Sequence, residues 1–101
     1  MTYADDISAA RRLAILLTLF FATGYTLNRA ALRHQVDRAG YVSSADMMAT
    51  ECSWLAEMQL VEQLDLDVVR LTVRGEDVAL GRSETPGVQR PSPGASHGTR
   101  W

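Results

Sequence analysis

The sequence has no lysine, one cysteine, three prolines outside which the chain is free to form helices, and no charged residue between Leu13 and Asn28. A lone thiol, Cys52, excludes an internal disulfide and fits a reducing compartment, the cytoplasm. All ten basic residues are arginine and the net charge is −2, which argues against a generally basic nucleic-acid binder but leaves room for a local basic face. The uncharged run contains the apolar stretch Leu13–Ala22, ten residues where a membrane-spanning helix needs about 20. Asp5 and Asp6 offset Arg11 and Arg12, and no A-x-A site follows, so the stretch does not read as a signal peptide; no membrane partner is expected.

Site chemistry is just as sparse. His34, Cys52 and His97 fall in three separate segments, with no CxxC and no HxxxH, so no metal site is expected. No phosphate-cradling glycine loop or dinucleotide fingerprint is present, and nothing places a nucleophile beside Glu51, Glu57 or Glu62. The expectation is a protein that is not an enzyme and uses no cofactor.

What is present is a set of short elements. Asp5 and Asp6 suit the start of a first helix over 5–22, whose second half is apolar on every side but Thr18. So much apolar surface is hard to cover in a chain of this size. Leu17, Phe20 and Phe21 are therefore candidates for a homodimer interface. Gly24–Tyr25 breaks the helix, and Thr26 or Asn28 can cap a second one running to Ala39, with Leu32, Val36 and Ala39 inward. Arg29 and Arg33, four apart, share one of its surfaces.

A third helix spans Ser43–Val61, with Met48, Cys52 and Leu55 on the inner stripe. Its charges, Asp46, Glu51 and Glu57, continue to Glu62 without a cation, an acidic face that would repel a polyanion. Trp54 sits at the flank, either sealing the core against a following hairpin or anchoring a partner. From Glu62 the period changes: Val69 and Leu71 alternate with Arg70 and Thr72, and 60–64 can pair with them across Asp65–Asp67. Thr72 can cap a short last helix, Val73–Leu80, stopped by Gly81. Residues 83–101, with three each of Pro, Gly and Ser, read as an extended tail.

The expected class is therefore mainly α (α+β): three helices, a two-stranded wing and a short C-terminal helix over 1–82, a winged helix-turn-helix, followed by the tail at 83–101. The residues Arg12-Leu13-x-Ile15-Leu16, Gly24-Tyr25-x-Leu27-Asn28, Leu32, Trp54-Leu55-x-Glu57, Leu60-Val61, Leu71-Thr72-x-x-Gly75-x-Asp77-Val78-Ala79-x-Gly81 and Pro86-Gly87-Val88-x-Arg90-Pro91-Ser92-Pro93 resemble the small winged-helix proteins of Mu-like phages and prophages, which are similar to ArsR-type regulators. The resemblance covers about residues 11–94 and implies a regulator by fold. Ala45, Asp46, Met47 and Met48 stand where related sequences tend to carry arginine, and the metal-sensing residues of ArsR-type repressors are missing.

Two functions stay open. One is a DNA-binding transcriptional regulator that meets double-stranded DNA through Arg29, Arg33, Arg70 and Arg74. The other is a protein–protein module of phage morphogenesis or DNA packaging, docking a phage protein through Asp46, Glu51 and Trp54, with the Pro-rich tail as a strap.

Overall fold

A computed structural model describes residues 2–92, four helices and a three-stranded antiparallel sheet. The first helix, α1 (Tyr3–Phe20), starts two residues earlier than its acidic pair suggests, because Thr2 caps it. The Thr2 hydroxyl accepts from the Asp5 amide at 3.1 Å, and the Asp5 carboxylate accepts from the Thr2 amide at 3.5 Å, a reciprocal box. A single 3-10 turn, Thr23–Tyr25, reverses the chain on Gly24 and Tyr25, both at positive φ.

Thr26–Asn28 then forms β1, a strand that the helical reading of this stretch did not anticipate. Asn28 closes β1 and also caps α2 (Arg29–Arg38), its side chain accepting from the Ala31 amide at 2.7 Å. The next helix, α3 (Ala45–Glu57), is capped by Ser44, whose hydroxyl accepts from Met47 N–H at 3.0 Å. Its neighbour Ser43 is held by its backbone instead, donating to Asp37 Oδ1 and accepting from Arg33 Nε.

The change of period after α3 is a hairpin of β2 (Val61–Leu64) and β3 (Val68–Leu71), turning through Asp65–Asp67. The strand order is β1-β3-β2, so β3 is central: Leu27 and Gln63 both face Val69, and Val61 faces Leu71. The expected hairpin is present, and β1 makes the sheet three-stranded instead of two-stranded. Three residues are too few to show a period of two, and β1 exists through its pairing with residues 68–70, about forty positions away.

Thr72 ends the sheet and starts α4 (Val73–Ala79). Its hydroxyl donates to the carbonyls of Gln59 and Leu60 and accepts from Gly75 N–H. Gly75 lies so close to the end of α3 that a Cβ there would overlap the Leu60 carbonyl and the Leu71 side chain. The Leu-Thr-x-x-Gly run is the joint that fastens α4 to the hairpin.

The core gathers Ile15, Leu16 and Leu19 of α1, Leu32 and Val36 of α2, Met48, Cys52 and Leu55 of α3, and Val69 and Val78. α1 packs chiefly on α2 and α4. Burial pushes the Cys52 thiol up to about 11, so it stays protonated and behaves as an apolar core residue. Of the segment set apart by composition, residues 83–92 lie back across the domain, with Thr85 buried and Val88 packed against the core. Residues 93–101 lie outside the described residues.

Candidate interaction surface on α3 and its flanks

The exposed side of α3 carries Asp46, Met47, Thr50, Ser53 and Glu57, with Ala49 half-buried between them. Ala49, Thr50, Ser53, Trp54 and Glu57 line a shallow concavity on this side. The two acids stand near the helix ends, and the middle of the face is uncharged.

Glu51 is not part of that face. It is 1% exposed, and its carboxylate accepts from Arg11 Nη1 at 3.0 Å and from Arg12 Nε at 2.8 Å. A position three after Met48 and four before Leu55 faces inward with them, and here it faces the start of α1's buried stretch. Glu51 therefore joins α3 to α1 and is withdrawn from partner docking; the outer acidic run loses one of its members. A carboxylate taken this far from water requires partners, and two guanidinium groups supply them. Arg11 keeps one cost of the arrangement, a buried Nε with no hydrogen-bond partner among the described residues.

Trp54 is half-buried at the same junction. The Arg12 guanidinium lies over its ring, 3.9 Å from the centroid, while Arg12 Nη1 donates to the Gly87 carbonyl at 3.1 Å. Trp54 thus seals α3 against α1 and the 83–92 segment, where the expectation was the hairpin. Arg12 is the node: one side chain meets α1, α3 and that segment. In the sequence Arg11 and Arg12 stood out only as a flank to the apolar run and, for Arg12, as the first residue of the family resemblance. The available signal was the inward spacing of Glu51, which calls for a buried cation without saying which.

The four arginines expected at a duplex are mostly engaged. Arg29 reaches Asp67 Oδ1 at 3.2 Å, tying α2 to the hairpin turn. Arg33 donates through Nε to the Ser43 carbonyl at 2.8 Å. Arg70 and Glu62 pair across the hairpin at 2.9 Å. Arg74 is exposed on the first turn of α4 and makes no ion pair among the described residues. Arg29 and Arg33 are brought together: with Asn28, Ala45, Met48 and Leu66 they line a cleft of about 440 Å³ between the starts of α2 and α3 and the hairpin turn. Arg70 and Arg74 are not among the residues of that cleft.

Elsewhere, α1 ends in aromatic rings. Phe20 packs partly into the core, and Phe21, 62% exposed, meets it edge-on at 5.0 Å; Tyr25 stacks on Phe20 at 6.2 Å. Leu17 and Phe21 line a groove with Ala10 and Ala14 of α1, Tyr41 and Pro91. Among the described residues no group of three or more His, Cys, Asp or Glu could hold a metal ion, and no helix is long and apolar enough to cross a membrane. His34 is exposed on α2, and His97 lies outside the described residues.

No family model matches the chain, and no solved structure matches it. A phage sequence does. The chain is 40% identical over 94 residues to the uncharacterized protein gp26 of Escherichia phage Mu, a match covering 90% of this chain and 97% of the Mu protein. The chain belongs to the family of phage Mu gp26. The gp26 likeness runs nearly end to end in both proteins, so it concerns the whole domain and is not confined to a common short motif such as Leu-Thr-x-x-Gly.

Proposed function

We propose that this gp26-family chain is a winged-helix DNA-binding protein of a Mu-like phage, with α3 as the helix presented to the duplex and β2–β3 as its wing. The observation that carries the reading is the withdrawal of Glu51. With that carboxylate held by Arg11 and Arg12, the centre of α3's exposed face is Ala49, Thr50 and Ser53, short and uncharged. Repulsion from a phosphate backbone is then confined to Asp46 and Glu57. The element order, helix–strand–helix–helix–hairpin, and the sheet order β1-β3-β2 support the same reading. Arg29 and Arg33 flank the start of α3, and Arg70 stands on the hairpin.

Binding asks Arg29 and Arg70 to exchange Asp67 and Glu62 for phosphate. Those pairs are solvent-exposed and contribute about 0–1 kcal/mol each, so the exchange is cheap. A protein of this kind works in the host cytoplasm as a regulator. The test is fluorescence anisotropy on a mixed-sequence duplex at low salt. Affinity should fall with log salt at about −0.9 per phosphate neutralised, and Arg29→Ala with Arg33→Ala should weaken all sequences alike. Asp46→Arg should strengthen binding. No binding by the native chain at tens of micromolar, a range in which non-specific complexes form, defeats the reading.

A second reading has its own support. Among the described residues Arg29 and Arg70 already hold a carboxylate and Arg33 a carbonyl, which leaves few free cations beside α3. That suits a protein-docking module of phage morphogenesis or DNA packaging, using Asp46, Glu57 and the partly exposed Met47. In that case Asp46→Arg leaves duplex binding absent and abolishes a complex with another phage protein.

A further inference from the structure

We propose that residues 84–91 form a releasable strap, which closes over Trp54 and Arg12 and opens without unfolding the domain. The inference rests on the reading of α3 as the docking surface only for its consequence, not for its existence. Two hydrogen bonds reach from the strap to the domain, Gly87 O accepting from Arg12 Nη1 at 3.1 Å and Gln89 N–H donating to Ala9 O at 3.2 Å, while Val88 packs on the core edge and Gly87 lies against the Trp54 ring. Glu84 and Arg90 pair with each other, closing the strap on itself instead of tying it to the domain. Pro86, Gly87, Gln89 and Arg90 are exposed.

Against these weak tethers stands a penalty. The Thr85 side chain is buried, and its hydroxyl has no hydrogen-bond partner among the described residues. Opening returns that hydroxyl to water, so the closed form carries a cost that the open form lacks. Segments with little buried surface and few internal hydrogen bonds open on their own, below the free energy of global unfolding.

Closure also has a strict steric requirement. Gly87 sits at φ +96°, and a Cβ there would lie 2.8 Å from Trp54 Cζ2 and 3.1 Å from Arg12 Nη1. Trp54 in turn lines the concavity on α3's exposed side. Closing the strap fixes the indole, and opening it frees the indole and the outer guanidinium nitrogen of Arg12, while Glu51 keeps its hold on Arg12 Nε. The strap therefore sets whether the C-terminal half of α3's face is rigid.

The test is residue-resolved amide exchange on the full chain. In the native protein, Val88 and Gln89 should exchange faster than Leu55 and Val69 of the core. Gly87→Ala should speed Val88 and Gln89 by at least about tenfold and leave Leu55 and Val69 unchanged. Thr85→Val, which removes the orphaned hydroxyl at the same shape, should slow Val88 and Gln89 by about tenfold. The proposal is overturned if Gln89, whose N–H crosses to Ala9 O, exchanges at the core rate in the native chain, if Gly87→Ala lowers protection throughout, or if Thr85→Val fails to slow the strap. None of these readouts uses DNA. A strap that behaves as expected in a protein that binds no duplex would remove the DNA reading alone.

Discussion

Glu51 shows how much one buried side chain decides. Its carboxylate is inside because helical spacing puts it there, and two guanidinium groups meet it there, so its value is mainly in not leaving them, or itself, unpaired. Removing one partner of a buried ion pair costs about 3–5 kcal/mol. Glu51→Ala should therefore lower the unfolding free energy obtained by urea titration by an amount in that range, whereas Asp46→Ala, at an exposed position, should change it by less than about 0.5 kcal/mol. Glu51→Gln keeps an acceptor for one arginine and loses the charge, and should fall between native and Glu51→Ala. If Glu51→Gln matched the native midpoint, the interaction would be hydrogen bonding without a charge contribution. Duplex binding cannot be probed by reversing Glu51, since Glu51→Arg would set three guanidinium groups together in the interior and damage the fold first.

At the scale of elements, what could be read in advance was whatever is written locally. The caps at Asn28 and Thr72, the stripe Met48–Cys52–Leu55, the turn at Asp65–Asp67 and the stop at Gly81 each depend on residues within one or two turns of one another. β1, the Arg12–Trp54 stacking and the return of the 83–92 segment depend on partners about forty or more positions away, and short-range patterns carry no trace of them. Of the proposed site, Arg29 and Arg33 were legible as neighbours on one helical face; the exit of Glu51 was legible only in its spacing. Gly75 lies between these cases, part of a common motif whose cause is tertiary. Its φ is ordinary for a helix, so propensity alone would favour alanine by about 1 kcal/mol. The overlap of a Cβ with the Leu60 carbonyl opposes this, and overpacking costs about 1–3 kcal/mol or more. Gly75→Ala should lower the melting temperature, and an unchanged or higher value would mean that α4 does not dock closely against the end of α3.

For the whole molecule, the unsettled surface is the outer side of α1. Ala10, Ala14, Leu17 and Phe21 follow one another at spacings of four, three and four and line one groove, with no charge among them. That order is self-complementary under a two-fold axis: in an antiparallel crossing of two α1 helices, Phe21 of one copy meets Ala10 of the other, and Leu17 meets Ala14. Large side chains then fall opposite small ones, and the same patch serves both copies, as an isologous interface requires. Phe20 contributes from behind, holding Phe21 edge-on. Covering apolar surface gains about 25 cal/mol per Å², so a few hundred Å² supplies several kcal/mol against the cost of association. The expected state is a homodimer at micromolar concentration by sedimentation velocity. Phe21→Asp places a charge at the most exposed point of the stripe and should give a monomer with unchanged far-UV circular dichroism. Ala14→Leu sets large against large at the crossing and should weaken the dimer without unfolding the chain. A native chain that sediments as a monomer at high micromolar concentration would show that α1's outer stripe is covered by something other than a second copy.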